Sequence, residues 1–175
     1  MEGLSVDLLT EALTEELLPE LIALDRIIFD AIGDRYGDHV WREEHFQKRL
    51  EQKWQLSCVA RTQGRLVGFW IASRRSPTTV HTHRVATHPE QQGQGVGKAM
   101  FELARKQAAQ VGAGQMTLFV VLANRTAIAF YERVGFSQLK GDPLSEFIGD
   151  RPHAAIENNL VLMEGIHYRA MHRAL

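Results

Sequence analysis

Three glycines stand at every second position in "HPEQQGQGVGKAM", at Gly93, Gly95 and Gly97, and Lys98 follows them. Small residues let a backbone come close to an anion, and a helix start presents free N–H groups to it. A helix dipole at such a site adds about 0.3–1 kcal/mol. Three phosphate-binding patterns compete. The Walker A loop fails because three residues separate Gly93 from Gly97, and because Ala99 stands where a metal-binding hydroxyl is required. The dinucleotide pattern G-x-G-x-x-G fails because its third glycine falls on Lys98 or Met100. The pattern Q/R-x-x-G-x-G/A fits Gln92-Gly93-Gln94-Gly95-Val96-Gly97 at every fixed position.

Other residues could move protons. His81 and His83 lie two apart in "TTVHTHRVAT", so a regular strand points both rings to one face. An imidazole with a pKa of about 6.5 accepts a proton at neutral pH. The competing reading is a pair of polar residues on a solvated strand face. His81, His83 and His88 show no zinc spacing with cysteines, and no metal site is expected. Cys58, in "LSCVA", reads as a core residue rather than a nucleophile. Trp54 and Trp70 read as hairpin or core residues. Arg74, Arg75, Arg105 and Lys106 read mainly as solvated charges, one of them open to a ribose phosphate.

The elements that must hold these residues follow from periodicity. A first strand is expected near Leu4–Thr10. A helix over 14–32 follows, with Leu17, Leu21, Leu24, Ile28 and Ala31 inward and Pro19 near its first turn. Asp38 caps a second helix over 39–53 with Trp41, Phe46 and Leu50 inward. Leu56–Thr62 and Arg65–Ser73 read as a hairpin turning at Gln63-Gly64, and residues 78–87 as another strand. The helix after the glycines runs to Gly112, with Met100, Leu103, Ala104, Gln107 and Ala108 near one face. "QMTLFVV" is a buried strand and "NRTAIAFYERVGF" a helix closed at Gly135. The tail reads as a breaker-rich loop, "KGDPLSEFIGDRPHAA", and a strand-like run, "ENNLVLMEG". Strands mixed with helices predict a three-layer α/β or α+β fold with a mixed sheet.

The chain has 175 residues, which suits one domain over 1–175. Its formal net charge of −1 does not point to nucleic acid. The acidic N-terminal stretch holds no uninterrupted apolar segment, and the single cysteine forms no internal disulfide. A cytoplasmic protein without a membrane span is expected.

"NRTAIAFYERVGF" also reads N-x-x-A-x-x-F-Y-x-x-x-G-F, with Asn124, Ala127, Phe130, Tyr131, Gly135 and Phe136 at the fixed places. Together with the glycine pattern upstream, it resembles the GNAT superfamily of N-acetyltransferases. The resemblance is strongest over residues 80 to 136. It implies a mixed, mostly antiparallel sheet splayed at its central strands, and acetyl-coenzyme A as cosubstrate. It implies that backbone N–H groups of Gly93, Gln94, Gly95, Val96, Gly97 and Lys98, beside Gln92, hold the pyrophosphate. Val85, Ala86 and Thr87 would pair with the pantetheine arm, Asn124 would touch the cofactor, and Tyr131 would give a proton to the leaving thiolate. Some members carry a glutamate base where this chain has His81. That departure leaves His81 or His83 as base or acceptor contact.

Acceptors of the family usually meet two segments, here "FDAIGDRYGDHVW" and "GDPLSEFIGDRPHAA". Asp30, Asp34, Tyr36, Asp38, Trp41, Asp142, Glu146 and Asp150 would suit a cationic amine, although aspartates also serve as turn formers and caps. A polyamine, an amino sugar, an amino acid or a protein N-terminus all remain open as acceptor, small molecule or peptide, and a homodimer is compatible with the family. A module of the same fold that binds the coenzyme without catalysis is the alternative.

Overall fold

A computed structural model describes residues 3–36, 39–149, 151 and 153–175. Strand β1 (Leu4–Leu8) leads into helix α1 (Glu11–Ile32), followed by two short helices, α2 (Glu43–Gln47) and α3 (Lys53–Leu56). Strands β2 (Cys58–Thr62), β3 (Arg65–Ser76) and β4 (Thr79–Thr87) form a meander. Helix α4 (Val96–Gln110), strand β5 (Gln115–Val121) and helix α5 (Arg125–Arg133) follow. The chain ends with β6 (Ser137–Gln138), α6 (Gly141–Ile148), β7 (Ala154–Glu157), β8 (Leu160–Met163) and β9 (Ile166–Ala174). The sheet order is β1-β2-β3-β4-β5-β9-β8-β7, with β6 also on β9. Among the described residues, only β4 and β5 run parallel.

Both faces of the central strands are covered. Successive residues of β2 and β3 go to opposite sides, as strand periodicity requires. Ala60 and Trp70 join α4 and α5, while Val59 and Phe69 join α1. The turn between these strands has positive φ at both Gln63 and Gly64, the conformation a two-residue hairpin demands.

Several boundaries differ from the sequence expectation. Helix α1 begins at Glu11, because the Thr10 side chain accepts the Leu13 N–H at 3.0 Å. Pro19 therefore lies in the helix interior rather than its first turn. It sits on the exposed side, where water can reach the backbone carbonyl that loses its partner. The expected helix over 39–53 is two short ones. The Lys53 ammonium donates to the carbonyls of Phe46 and Lys48 near the end of α2, which fixes the break. Gln52 has φ 53°, a left-handed residue that no continuous helix accommodates. Asp38, the expected cap, is outside the described residues. The tail loop contains α6, whose Leu144 and Ile148 are buried with Val161 and Ala170. The breakers there mark a helix start, with Pro143 in the first turn. "ENNLVLMEG" splits between β7 and β8 at Asn158-Asn159, both with positive φ. Strand β9, paired along β5 from Tyr168 to Ala174, was not expected.

One buried ion pair ties α1 to β4. Arg84 Nε and one terminal nitrogen donate to the two oxygens of Asp25 at 2.9 and 3.0 Å. Asp25 also accepts from the Tyr36 hydroxyl at 2.8 Å and the Trp41 N–H at 2.7 Å. The Arg84 guanidinium lies over the Tyr36 ring at 3.7 Å and donates to the His39 carbonyl at 3.0 Å. Asp25→Ala leaves a buried cation without its carboxylate. It should cost about 3–5 kcal/mol, read as a lower urea midpoint at unchanged slope. An equal midpoint for this variant and the parent would show that the pair is not needed.

Candidate active site

The parallel pairing of β4 with β5 covers only Thr79–Thr82 against Gln115–Leu118. Beyond it, β4 runs on to Thr87 and β5 to Val121 without each other. On its other edge β4 stays paired with β3, but Ile71 opposes Arg84 while Ala72 opposes Thr82. His83 is the extra residue of a β-bulge, which bends the strand and re-aims the side chains after it. Val80 thus packs on the α4 side, whereas Ala86 packs on the α1 side.

A cavity of about 280 Å³ fills the fork. His81, Thr82, His83 and Val85 line it from β4, and Leu118–Val121 from β5. Asn124, Ala127 and Tyr131 line it from α5 and its cap, and Arg35, Tyr36, Trp41, Arg151, Met163 and Tyr168 complete the lining. The structure therefore brings His81, His83, Val85, Asn124 and Tyr131 to one cavity. Ala86, Thr87 and the glycine loop are not in that lining; they follow on from β4.

The loop is built on glycine conformations. Gly93 and Gly95 have φ 76° and 83°, the left-handed region that a side chain makes costly. Gly95 is the N-cap of α4, and the first intrahelical bond runs from Ala99 N–H to the Gly95 carbonyl at 2.9 Å. The N–H groups of Val96, Gly97 and Lys98 are left without intrahelical acceptors. The Gln92 side chain donates to the Thr87 carbonyl at 3.1 Å, tying the loop to the strand end. The Gln94 side chain ties the loop internally, donating to the Glu90 carbonyl at 2.7 Å. Lys98 is exposed beside this turn.

Asn124 caps α5, its side-chain oxygen accepting the Ala127 N–H at 3.0 Å. Its amide nitrogen is thereby left for the cavity. Tyr131 is 8% exposed, edge-on to Trp70 with ring centroids 6.3 Å apart. Burial pushes its pKa up, so the phenol keeps its proton at neutral pH. In the same cavity the Thr82 hydroxyl is buried and, among the described residues, has no hydrogen-bond partner.

The two imidazoles do share a side, with centroids 5.0 Å apart. His81 is buried, its Nδ1 3.0 Å from the Thr117 hydroxyl and its ring against Phe119 and Phe147. Desolvation, then His83, Arg75 and Arg151, hold its pKa well below the usual range. His83 pairs its Nε2 with the Ser73 hydroxyl at 2.7 Å. Desolvation and the cations Lys53, Arg151, Lys48 and Arg75 lower its pKa to about 4. The His83 ring has an exposed side, so solvent screens part of that shift, and the direction toward the neutral form is what counts.

Other expected contacts lie elsewhere. Asp30, Asp142 and Glu146 are exposed and absent from the cavity wall. Asp150 is outside the described residues, as is the side chain of Asp34. Arg74 is not a free surface charge: it donates to Gln52 at 3.0 Å and to the Val111 carbonyl at 2.9 Å. Cys58 is fully buried, and desolvation raises its pKa to about 12, which makes it inert. Sequence reasoning missed Arg35, Thr82, Arg151, and the Asp25–Arg84 pair that seats Tyr36 and Trp41.

A forked sheet with an anion-ready helix start beyond the fork and a protonated phenol in its wall is the frame expected of an acyltransferase. The comparisons make that specific. Residues 18–136 match the acetyltransferase (GNAT) family model, and the chain belongs to that family. It is 31% identical over 152 residues to a mycothiol acetyltransferase of Jonesia denitrificans, covering 75% of this chain and 48% of that one. It is 27% identical over 109 residues to an uncharacterized N-acetyltransferase of Methanocaldococcus jannaschii, covering 59% and 48%. The chain spans less than half the length of these relatives.

Among solved structures, an acetyltransferase from Streptococcus agalactiae superposes with TM-score 0.74 at 17% identity, covering all of both chains. The ribosomal-protein-S18-alanine N-acetyltransferase from Escherichia coli gives 0.68 at 19% identity, covering 98% of this chain and 93% of that one. The yncA protein of Salmonella typhimurium, solved with its cofactor acetyl-CoA, gives 0.66 at 15% identity, covering 99% and 95%. At these identities the likeness is one of fold. Among the described residues, no helix is long and apolar enough to cross a membrane.

The neutral imidazoles make stability depend on pH. An unfolded histidine titrates near about 6.5, whereas His81 in the fold titrates well below that. The unfolded chain then binds more protons below pH about 6.5, so stability falls as pH drops through that point. His81→Asn should flatten the fall in urea midpoint between about pH 7 and 5 relative to the parent. An equally steep fall in the variant would assign the effect to other groups.

Proposed function

We propose that this chain is an N-acetyltransferase that moves an acetyl group from acetyl-coenzyme A to a primary amine by direct attack. The observation that carries the proposal is the fork itself: β4 leaves β5 after Thr82 and runs toward a glycine-built helix start, with Tyr131 in the cavity between. The N–H groups of Gly93 to Lys98, with Gln92 steadying the loop, hold the pyrophosphate. The edge of β4 at Val85, Ala86 and Thr87, which has no described strand beside it on the β5 side, meets the pantetheine amides as an added strand would. The Asn124 amide nitrogen donates to the same arm. Acceptors are small-molecule amines or peptide N-termini, residues 1–175 form a single acetyltransferase-like domain, and the setting is cytoplasmic. A homodimer is compatible with this reading.

The proton inventory closes. The amine nitrogen bonds to the acetyl carbon, the carbon–sulfur bond breaks, and the sulfur takes the Tyr131 proton. A thiolate of pKa about 8.5 gains from a phenol that is still protonated. The burial that keeps the proton on Tyr131 also disfavours a bare thiolate in the same wall. The attacking amine loses its proton to His83, directly or through water, and that proton passes on through solvent to the Tyr131 phenolate, which restores both groups. His83 is neutral and open to the cavity; His81 stands behind it, anchored on Thr117.

Tyr131→Phe should lower kcat about 10²–10⁴-fold with little change in KM for acetyl-coenzyme A, measured by thiol release. His83→Ala should lower kcat/KM for the amine, and its pH profile should differ from that of the parent. Parent-like turnover in Tyr131→Phe would remove the phenol from the chemistry. Tight coenzyme binding without turnover on any amine would mark a sensing module of the same fold instead.

A further inference from the structure

The cavity lining is cationic. Arg35 and Arg151 belong to it together with Tyr36, Trp41, Met163 and Tyr168, and the described lining contains no aspartate or glutamate. Among the described residues, neither arginine forms an ion pair. Arg35 uses its Nε on the Ile32 carbonyl at 3.0 Å, which leaves its terminal nitrogens for a ligand. Arg151 stacks over Phe119 at 4.8 Å, and Arg75 stacks over Phe147 at 4.5 Å just behind. Arg84 is the exception in this wall, since Asp25 already neutralises it.

This arrangement is costly as it stands. Arg75 and Arg151 repel, and together they disfavour any further positive charge on His81 and His83. A cationic acceptor such as a polyamine would add to that repulsion. An anion would relieve it, and guanidinium groups offer a carboxylate two parallel donors. The aromatic and thioether surface of Tyr36, Trp41, Phe119 and Met163 lines the same cavity, with Phe119 directly under Arg151, and offers room for an apolar body.

Resting on the acetyltransferase reading, we infer that the acceptor is a primary amine carrying an anionic group, a carboxylate in the manner of an amino acid, which Arg151 and Arg35 bind while the amine faces His83. Arg151 acts here as a specificity residue and takes no part in the bond changes.

The test pairs acceptors that differ only in charge. Full-length protein and acetyl-coenzyme A are assayed by thiol release with L-phenylalanine, its amide, phenethylamine, the corresponding aminophosphonate and spermidine. The acid should exceed its amide in kcat/KM by at least about tenfold, the scale of one charge-assisted hydrogen bond. A higher rate with the aminophosphonate than with the acid would move the anion from carboxylate to phosphonate and overturn the carboxylate assignment. In Arg151→Gln the acid-to-amide ratio should collapse through KM of the acid, with KM of acetyl-coenzyme A unchanged. Arg151→Lys should restore part of the ratio, which a merely structural role would not give. Preference for the amide or for spermidine, or a ratio untouched in Arg151→Gln, overturns the inference while leaving the acetyltransferase reading intact. Absence of turnover with every amine overturns both.

Discussion

The early end of the β4–β5 ladder governs the rest of the molecule. A parallel pair that stops at Thr82 and Leu118 leaves backbone amides of β4 without a sheet partner on that edge. Buried amides are not left unpaired in a stable protein unless something else can pair with them. The bulge at His83 lets the strand turn away while β3 still holds its other side. It also exchanges the faces, sending Val80 toward α4 but Arg84 and Ala86 toward α1. The Asp25–Arg84 pair then locks the bent strand to α1, and through Tyr36 and Trp41 it draws the segment after α1 over the cavity mouth. One break in one ladder thus opens the cleft and seats its rim.

Electrostatics divide the cleft. Beyond the fork, the start of α4 offers N–H groups and Lys98. The cavity lining offers Arg35 and Arg151. The same lining holds neutral groups: a buried phenol at Tyr131 and two imidazoles whose pKa values are depressed. Cations beside neutral groups able to carry a proton suit the proposed reaction, which joins two substrates around an uncharged acetyl group.

The glycine turn and the Asn124 cap were legible in the sequence because backbone conformation demands particular residues there. Gly93 and Gly95 adopt positive φ, and Asn124 caps a helix, so pattern and geometry coincide. The rest of the cavity lining was not legible. Asp25 lies between Leu24 and Ile28 on an apolar stripe; a lone carboxylate there signals a buried cation, but nothing local names Arg84 as its partner. The bulge at His83 leaves no mark, since its effect depends on how β3 is registered. Helix α6 was hidden by Gly141, Pro143 and Gly149, which bound it rather than break it. Strand β9 was hidden because "IHYRAMHRA" carries His167, Arg169, His172 and Arg173, and only Ala170 and Met171 of it are buried. The acidic residues expected to meet a cationic amine read as contacts by position, yet Asp30, Asp142 and Glu146 turn outward.

Hydrogen–deuterium exchange with and without acetyl-coenzyme A tests the central claim, that the free edge of β4 and the glycine loop form one donor site. Slower exchange is predicted at residues 83–87 and 93–98, with α1 unchanged. Bound coenzyme that leaves both segments exchanging as before would contradict the account.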